Sequence, residues 1–156
     1  MKLKAHPTVK STQTYQFPDD LYYDDANHMW AKQDEATNRI IVGIDALGLE
    51  ALGEIAYISL LAVGLSVQHG DSIGVLEAAK MTGDVVAPVS GTLVARNEPV
   101  MRDPSVVNED PYDKGWLVVI EPNDWETESA KLIQRSQIPA WVEAEIERYR
   151  SQGWID

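Results

Sequence analysis

The chain contains no cysteine. That removes disulfides, thiolate zinc sites and cysteine nucleophiles together, and leaves the redox compartment unmarked by this residue type. Any redox chemistry has to come from a cofactor. Also absent is a run approaching the roughly 20 apolar residues that cross a bilayer. The opening Met1-Lys2-Leu3-Lys4-Ala5-His6 has no apolar stretch of signal-peptide length, so the cytoplasm is the expected compartment and no membrane partner is expected. Positive charge is scarce: 13 Lys and Arg stand against 25 Asp and Glu, a formal net charge of −12. A polyanion such as nucleic acid is repelled by that balance, whereas an acidic docking surface for protein partners fits it.

Motifs of self-sufficient catalysis are missing too. There is no Gly-x-Ser-x-Gly elbow, phosphate-binding glycine loop or His-Glu-x-x-His. His6, His28 and His69 share no ligand-like spacing, and no metal is expected. Asp19-Asp20 and Asp24-Asp25 read as a solvated face, because calcium loops need acids in a tighter alternating pattern.

What is present is a 156-residue chain with 44% apolar content, enough for one domain with a normal core. Gly64-x-x-Val67-x-x-Gly70-Asp71-x-Ile73 recurs as Gly91-x-x-Val94-x-x-Asn97-Glu98-x-Val100. Gly70 and Asn97, each followed by an acid, suit the same turn chemistry. The two units flank Glu77-Ala78-Ala79-Lys80-Met81. A pseudo-two-fold pairing of the units places Lys80 at an exposed hairpin, within reach of a modifying enzyme; a plain surface lysine gives the same pattern. Acylation would remove its charge and put a reactive group on a long flexible stem, leaving the protein to supply position and partner recognition.

Along the chain, residues 1–16 read as a loose polar arm, 17–122 as the folded domain and 123–156 as a C-terminal helical segment. Arg39 to Ile44 is a β-branched strand, and Asp45 caps a small helix near 46–52 that stops at Gly53. Ile55 to Leu61, Ser72 to Glu77, Asp84 to Ala87, Gly91 to Asn97 and Trp116 to Glu121 are further short strands, so the core is mostly β, a sandwich or barrel. Asp103-Pro104 and Asp110-Pro111 suit turn or helix entry. Ile138, Val142, Ile146 and Tyr149 follow helical spacing, with Glu145/Arg148 and Glu147/Arg150 as pairs on the outer face. Trp30, Ile44, Ile55, Ile58, Val75, Val94 and Leu117 are expected in the packed interior.

From Pro18 to Pro122 the residues resemble the H-protein family of lipoyl carriers, relatives of the biotinyl domains. The resemblance is carried by His28-x-Trp30, Val42-Gly43-Ile44-Asp45, Leu52-Gly53-Glu54-Ile55, Gly70-Asp71-Ser72-Ile73-Gly74-Val75, Glu77-x-x-Lys80, Ala87-Pro88-Val89-Ser90-Gly91 and Val107-Asn108-Glu109-Asp110-Pro111-Tyr112-x-x-Gly115-Trp116-Leu117, in order. It implies a flattened barrel-sandwich hybrid with a C-terminal helix, lipoate on Lys80 at a hairpin tip, and recognition of the site through Glu77 and Gly64. It also implies a carrier rather than an enzyme, with His28, Met29 and Asp84 as candidates to line the arm's path.

The implied partners are a lipoate ligase or lipoyl transferase, dihydrolipoamide dehydrogenase, and the enzymes that load and unload the arm. Two departures bear on the last. Asn27-His28-Met29-Trp30 puts a thioether where glycine cleavage H proteins have an acid near the cationic aminomethyl group, and Lys80-Met81-Thr82-Gly83-Asp84 keeps the acid after the anchor but not the serine. These favour the H-like lipoate-binding proteins of a heterodisulfide-reductase-like sulfur-oxidation complex, with the aminomethyl carrier serving glycine decarboxylase and aminomethyltransferase as the alternative. A biotin carrier, toward which Met81 after the lysine leans, and an unmodified interaction domain are the remaining readings.

Overall fold

The computed structural model describes residues 15–156. The expected arm over 1–16 therefore lies outside the described residues except at its end, where Tyr15 packs against the aromatic core and the Gln16 carbonyl accepts a hydrogen bond from the Tyr112 hydroxyl.

Among the described residues, ten strands form two antiparallel sheets. In chain order they are β1 (Tyr22–Tyr23), β2 (Met29–Gln33), β3 (Ile40–Ile44), β4 (Ile55–Leu60), β5 (Ser66–Val67), β6 (Ser72–Ala78), β7 (Thr82–Val86), β8 (Gly91–Arg96), β9 (Val118–Pro122) and β10 (Ile133–Gln134). The larger sheet runs β10-β1-β2-β3-β9-β8-β5 and the smaller β4-β6-β7. Between them lies one apolar core that includes Ile40, Val42, Ile58, Ile73, Leu76, Leu93, Leu117 and Ile120. The barrel-sandwich architecture implied by the resemblance is the one observed.

The repeat halves meet directly. Ser66 pairs with Thr92 and Val67 with Gly91, and across this seam the Gly64 N–H donates to the Leu93 carbonyl and the Leu93 N–H to the Leu65 carbonyl. Their turns differ, however. Gly70 takes φ +94, a left-handed conformation that glycine adopts at little cost, whereas Asn97 has φ −84 and precedes a helix. The Asn97 side chain instead donates to the carbonyls of Lys114 and Trp116, which fixes the loop before β9. The shared turn chemistry expected at these two positions is therefore absent.

Helices fill the connections: α1 (Ala46–Leu52), α2 (Glu98–Arg102), α3 (Ser105–Glu109), α4 (Trp125–Ser129) and α5 (Ile138–Ser151). Asp45 caps α1 as expected, its carboxylate accepting from the Gly48 N–H at 2.9 Å. On the outer side of the large sheet, α5 buries Ile138, Trp141, Val142, Ile146 and Tyr149 against Leu21, Tyr23, Trp30 and Leu47 in a second, aromatic-rich cluster. Among the described residues, no helix is long and apolar enough to cross a membrane.

Three side-chain placements correct the sequence reading. Val75 is 48% exposed, because Ile73 and Leu76 are the inward residues of β6 and the irregular pairing between Ser72 and Gly74 shifts which positions face in. Val94 is half-buried while its neighbour Leu93 fills the core. Glu145 is on the inner side of α5, 7% exposed, although it does pair with Arg148. The expected Glu147/Arg150 pair does not form; Arg150 reaches back to the Asp156 carbonyl.

Candidate functional site at the Lys80 hairpin

Strands β6 and β7 are joined by Ala79-Lys80-Met81, closed by a hydrogen bond from the Ala78 N–H to the Met81 carbonyl. Two further bonds clamp this tip to the junction of α1 and β4. The Ala79 N–H donates to the Glu54 carbonyl and the Lys80 N–H to the Leu52 carbonyl, each at 2.9 Å. The carbonyls at the end of α1 lack helical partners, so the hairpin tip satisfies the helix while the helix holds the tip. Lys80 is exposed, and its Nζ donates to the Glu50 carbonyl at 2.9 Å.

Gly53 makes the close approach possible. At φ +80 and ψ −165 it occupies a region essentially reserved for glycine, and a Cβ there would stand 3.2 Å from the Ala79 Cβ and 3.3 Å from the Lys80 Cγ. Asn108 pins this turn from the other side: its amide donates to the Gly53 carbonyl at 3.1 Å and its carbonyl accepts from the Ile55 N–H at 3.0 Å. In the sequence, Asn108 stands out only as part of the block Val107 to Leu117. Its supporting role was not legible because it needs the meeting of segments some 55 residues apart.

Beside the hairpin lies a groove of about 620 Å³, within the size range of small-molecule sites. It is lined by Lys80, Met81, Asp84 and Val85 of the hairpin, by His28, Met29 and Ile44 of the large sheet, and by Tyr149 and Trp154 of the C-terminal segment. The candidates His28, Met29, Lys80 and Asp84 are thus brought together. Glu77 is exposed on β6 and Gly64 sits at φ +101 in the turn between β4 and β5, and neither lines the groove. Asp84 accepts a hydrogen bond from the Ser72 hydroxyl at 2.9 Å, and Met29 is a core residue at 3% exposure.

His28 is the least free of the candidates. It holds φ +55, and its ring is sandwiched between Nδ1···Asp45 Oδ2 at 2.8 Å and Nε2···Glu145 Oε1 at 2.7 Å. Both ring nitrogens meeting carboxylates calls for the doubly protonated imidazolium. Burial disfavours that charge, but hydrogen bonding and charge from Asp45 and then Glu145 outweigh it and raise the His28 pKa. Burial raises that of Asp45 against the pull of His28 and the Gly48 N–H. Glu145 is also subject to burial, but Arg148 in bidentate contact and His28 together lower it. Trp141 stacks on the His28 ring at 5.0 Å and 19°. The ring is therefore a dock for α5, and its nitrogens are fully occupied.

Lys80 is therefore presented, exposed, at a clamped hairpin tip beside a largely apolar groove that the Asp84 carboxylate also lines. Among known proteins, a sequence profile of the glycine cleavage H-protein family matches residues 21–145. The chain belongs to the glycine cleavage H-protein family. Proteins of this family carry lipoate covalently attached to a lysine. The chain is 41% identical over 130 residues to the glycine cleavage system H protein of Carboxydothermus hydrogenoformans, covering 83% of this chain and 97% of that protein. It is 38% identical over 109 residues to that of Anaeromyxobacter sp., covering 70% and 83% respectively. The crystal structure of a glycine cleavage system H protein from Mycobacterium marinum superposes with a TM-score of 0.63 at 34% identity, over 69% of this chain and 87% of that one. The H-protein match ends within α5, so Tyr149 and Trp154 lie beyond it.

Proposed function

We propose that Lys80 is the lysine that carries lipoate, and that the loaded arm serves glycine cleavage. In this reading it takes an aminomethyl group from glycine decarboxylase to aminomethyltransferase, and dihydrolipoamide dehydrogenase then restores the disulfide. The observation that carries the proposal is the family match over residues 21–145, which contains Lys80, its clamp on α1 and the Gly53–Asn108 support beneath it. The residues suit the group: the anchor is exposed, the groove beside it is mostly apolar, and an acylated Nζ keeps one N–H with which to hold the Glu50 carbonyl. Lipoate supplies a disulfide that accepts and releases electrons and a carbon fragment; the protein supplies position and partner recognition. Glu77, exposed on β6 beside the tip, and Gly64, exposed in the turn beyond the far end of β4, are proposed as the positions that a lipoate ligase or lipoyl transferase reads.

A heterodisulfide-reductase-like sulfur-oxidation partner is favoured in the sequence by Met29 and by the segment after Lys80. Met29 is packed in the core, where a thioether is an ordinary filler, and the relatives named above are all glycine cleavage system H proteins. Neither finding favours the sulfur-carrying arm, so glycine cleavage takes precedence. A biotin carrier is set aside with the cofactor of the family.

The test is reconstitution of glycine–carbon dioxide exchange with glycine decarboxylase and the lipoylated protein. Exchange that Lys80→Ala abolishes is expected. Lipoylated protein that supports no exchange above the decarboxylase alone would overturn the pathway.

A further inference from the structure

Beyond residues 21–145, which the family profile matches, α5 ends in a turn that does more than stop the helix. The Gly153 N–H donates to the Arg150 carbonyl at 3.0 Å and the Trp154 N–H to the Tyr149 carbonyl at 2.9 Å, with Gly153 at φ +78. These are the two hydrogen bonds of a Schellman motif, and its usual apolar contact is present as an edge-to-face pair, Tyr149 with Trp154, at 5.1 Å and 84°. The Arg148 guanidinium covers both rings, at 5.1 and 5.8 Å. The helix that presents this turn is itself fixed by the Glu145–His28 contact and by the Trp141 indole donating to Asp25 at 2.7 Å.

So held, Trp154 remains 46% exposed and lines the groove that begins at Lys80. Met81, 52% exposed, lines the same groove from the hairpin. Two large apolar side chains half-open to solvent on opposite elements leave apolar surface that a ligand of the groove would cover. The group tethered closest to it is the one on Lys80.

We propose that Trp154 is a positioning residue for the lipoyl arm: its indole forms the outer wall of the groove, opposite Met81, and packs on the dithiolane end of the arm between visits to partner enzymes. Sulfur packs favourably against aromatic edges, and an aromatic face also accommodates a cation, so the same wall suits the disulfide ring and an aminomethylated arm. This inference rests on lipoylation of Lys80.

The test uses the full chain, unmodified and lipoylated, with the Lys80 state fixed by intact mass. In nitrogen–proton NMR the Trp154 indole N–H, assigned by its loss in Trp154→Phe, is expected to shift on lipoylation and again when the disulfide is reduced, with the Trp30 indole unchanged. Reduction of the lipoyl disulfide by a small phosphine is expected to run about fivefold faster in Trp154→Ala, the factor that one mid-range sulfur–aromatic contact supports. In Trp154→Phe, which keeps an aromatic wall, the rate should stay near that of the native protein. A lipoylated protein whose Trp154 indole does not move overturns the inference and leaves the carrier reading standing. A Lys80 that stays at unmodified mass in the presence of a competent lipoylating enzyme overturns the carrier reading, and this inference with it.

Discussion

Replacing Glu145 by Gln should uncouple α5 from the carrier domain in a pH-dependent way. In the native protein, His28 holds a proton toward Asp45 on one side and Glu145 on the other, at 2.8 and 2.7 Å, with the imidazole 1% exposed. The substitution keeps the shape of the side chain but removes the charge that faces His28 and the carboxylate that Arg148 grips twice. Removing one partner of a buried pair costs about 3–5 kcal/mol, and the low end, about 3 kcal/mol, applies because the Arg148 side chain is 45% exposed and its share is screened. The sign of the pH effect follows from His28. Its folded pKa is raised, so its contribution is complete below the ordinary imidazole value and is lost as pH rises through the folded value. Between those limits, stability falls by about 1.4 kcal/mol per pH unit. In Glu145→Gln the folded pKa of His28 drops, and the alkaline decline flattens. Urea denaturation followed by circular dichroism from about pH 5 to about pH 9 measures both effects. Native and variant curves that run parallel, separated only by a constant offset, would refute the sharing of the His28 proton with Glu145.

Leu117→Ala, at a fully buried core position, should lower stability by about 2–4 kcal/mol, whereas Val75→Ala should change it by less than about 0.5 kcal/mol because Val75 faces solvent; equilibrium unfolding compares the two. Gly53→Ala should cost about 1–3 kcal/mol from its backbone conformation and slow lipoylation by displacing Lys80, read by denaturation and by the rate of mass increase with a lipoylating enzyme. Asn108→Ala leaves the Ile55 N–H without its partner and should lower stability by about 1–3 kcal/mol. Hydrogen exchange should show the gain in opening concentrated at Gly53 to Ile55 and at the hairpin tip.

Much of the fold could be read from the sequence because its signals are local. Asp45 before an apolar segment and Gly53 after it bracket α1, and the β-branched run at Arg39 to Ile44 makes β3. Strand β2 lacked such a signal: Met29, Trp30 and Ala31 are all buried, so the alternation that marks a half-exposed strand is missing. Short β1 and β10 exist only because they pair along the edge of the large sheet. At the site, the reach of Lys80 and its hairpin came from the flanking repeat, and the groove unites His28, Met29 and Asp84 with it. The role of Glu145 did not, since helical spacing alone puts it with its charged neighbours on the outer face. Only the buried charge of His28, contributed 117 residues away, turns it inward. Trp154 could have been suspected from Gly153, which follows the last helical turn at the place where a left-handed residue ends a helix.

The most direct test of the central claim is peptide mass spectrometry of protein purified from its native host. The expected result is a Lys80 peptide heavier than its unmodified form by one lipoyl group, with the other lysines unmodified. A Lys80 peptide found only bare or bearing biotin, or lipoate found on a different lysine, would contradict it.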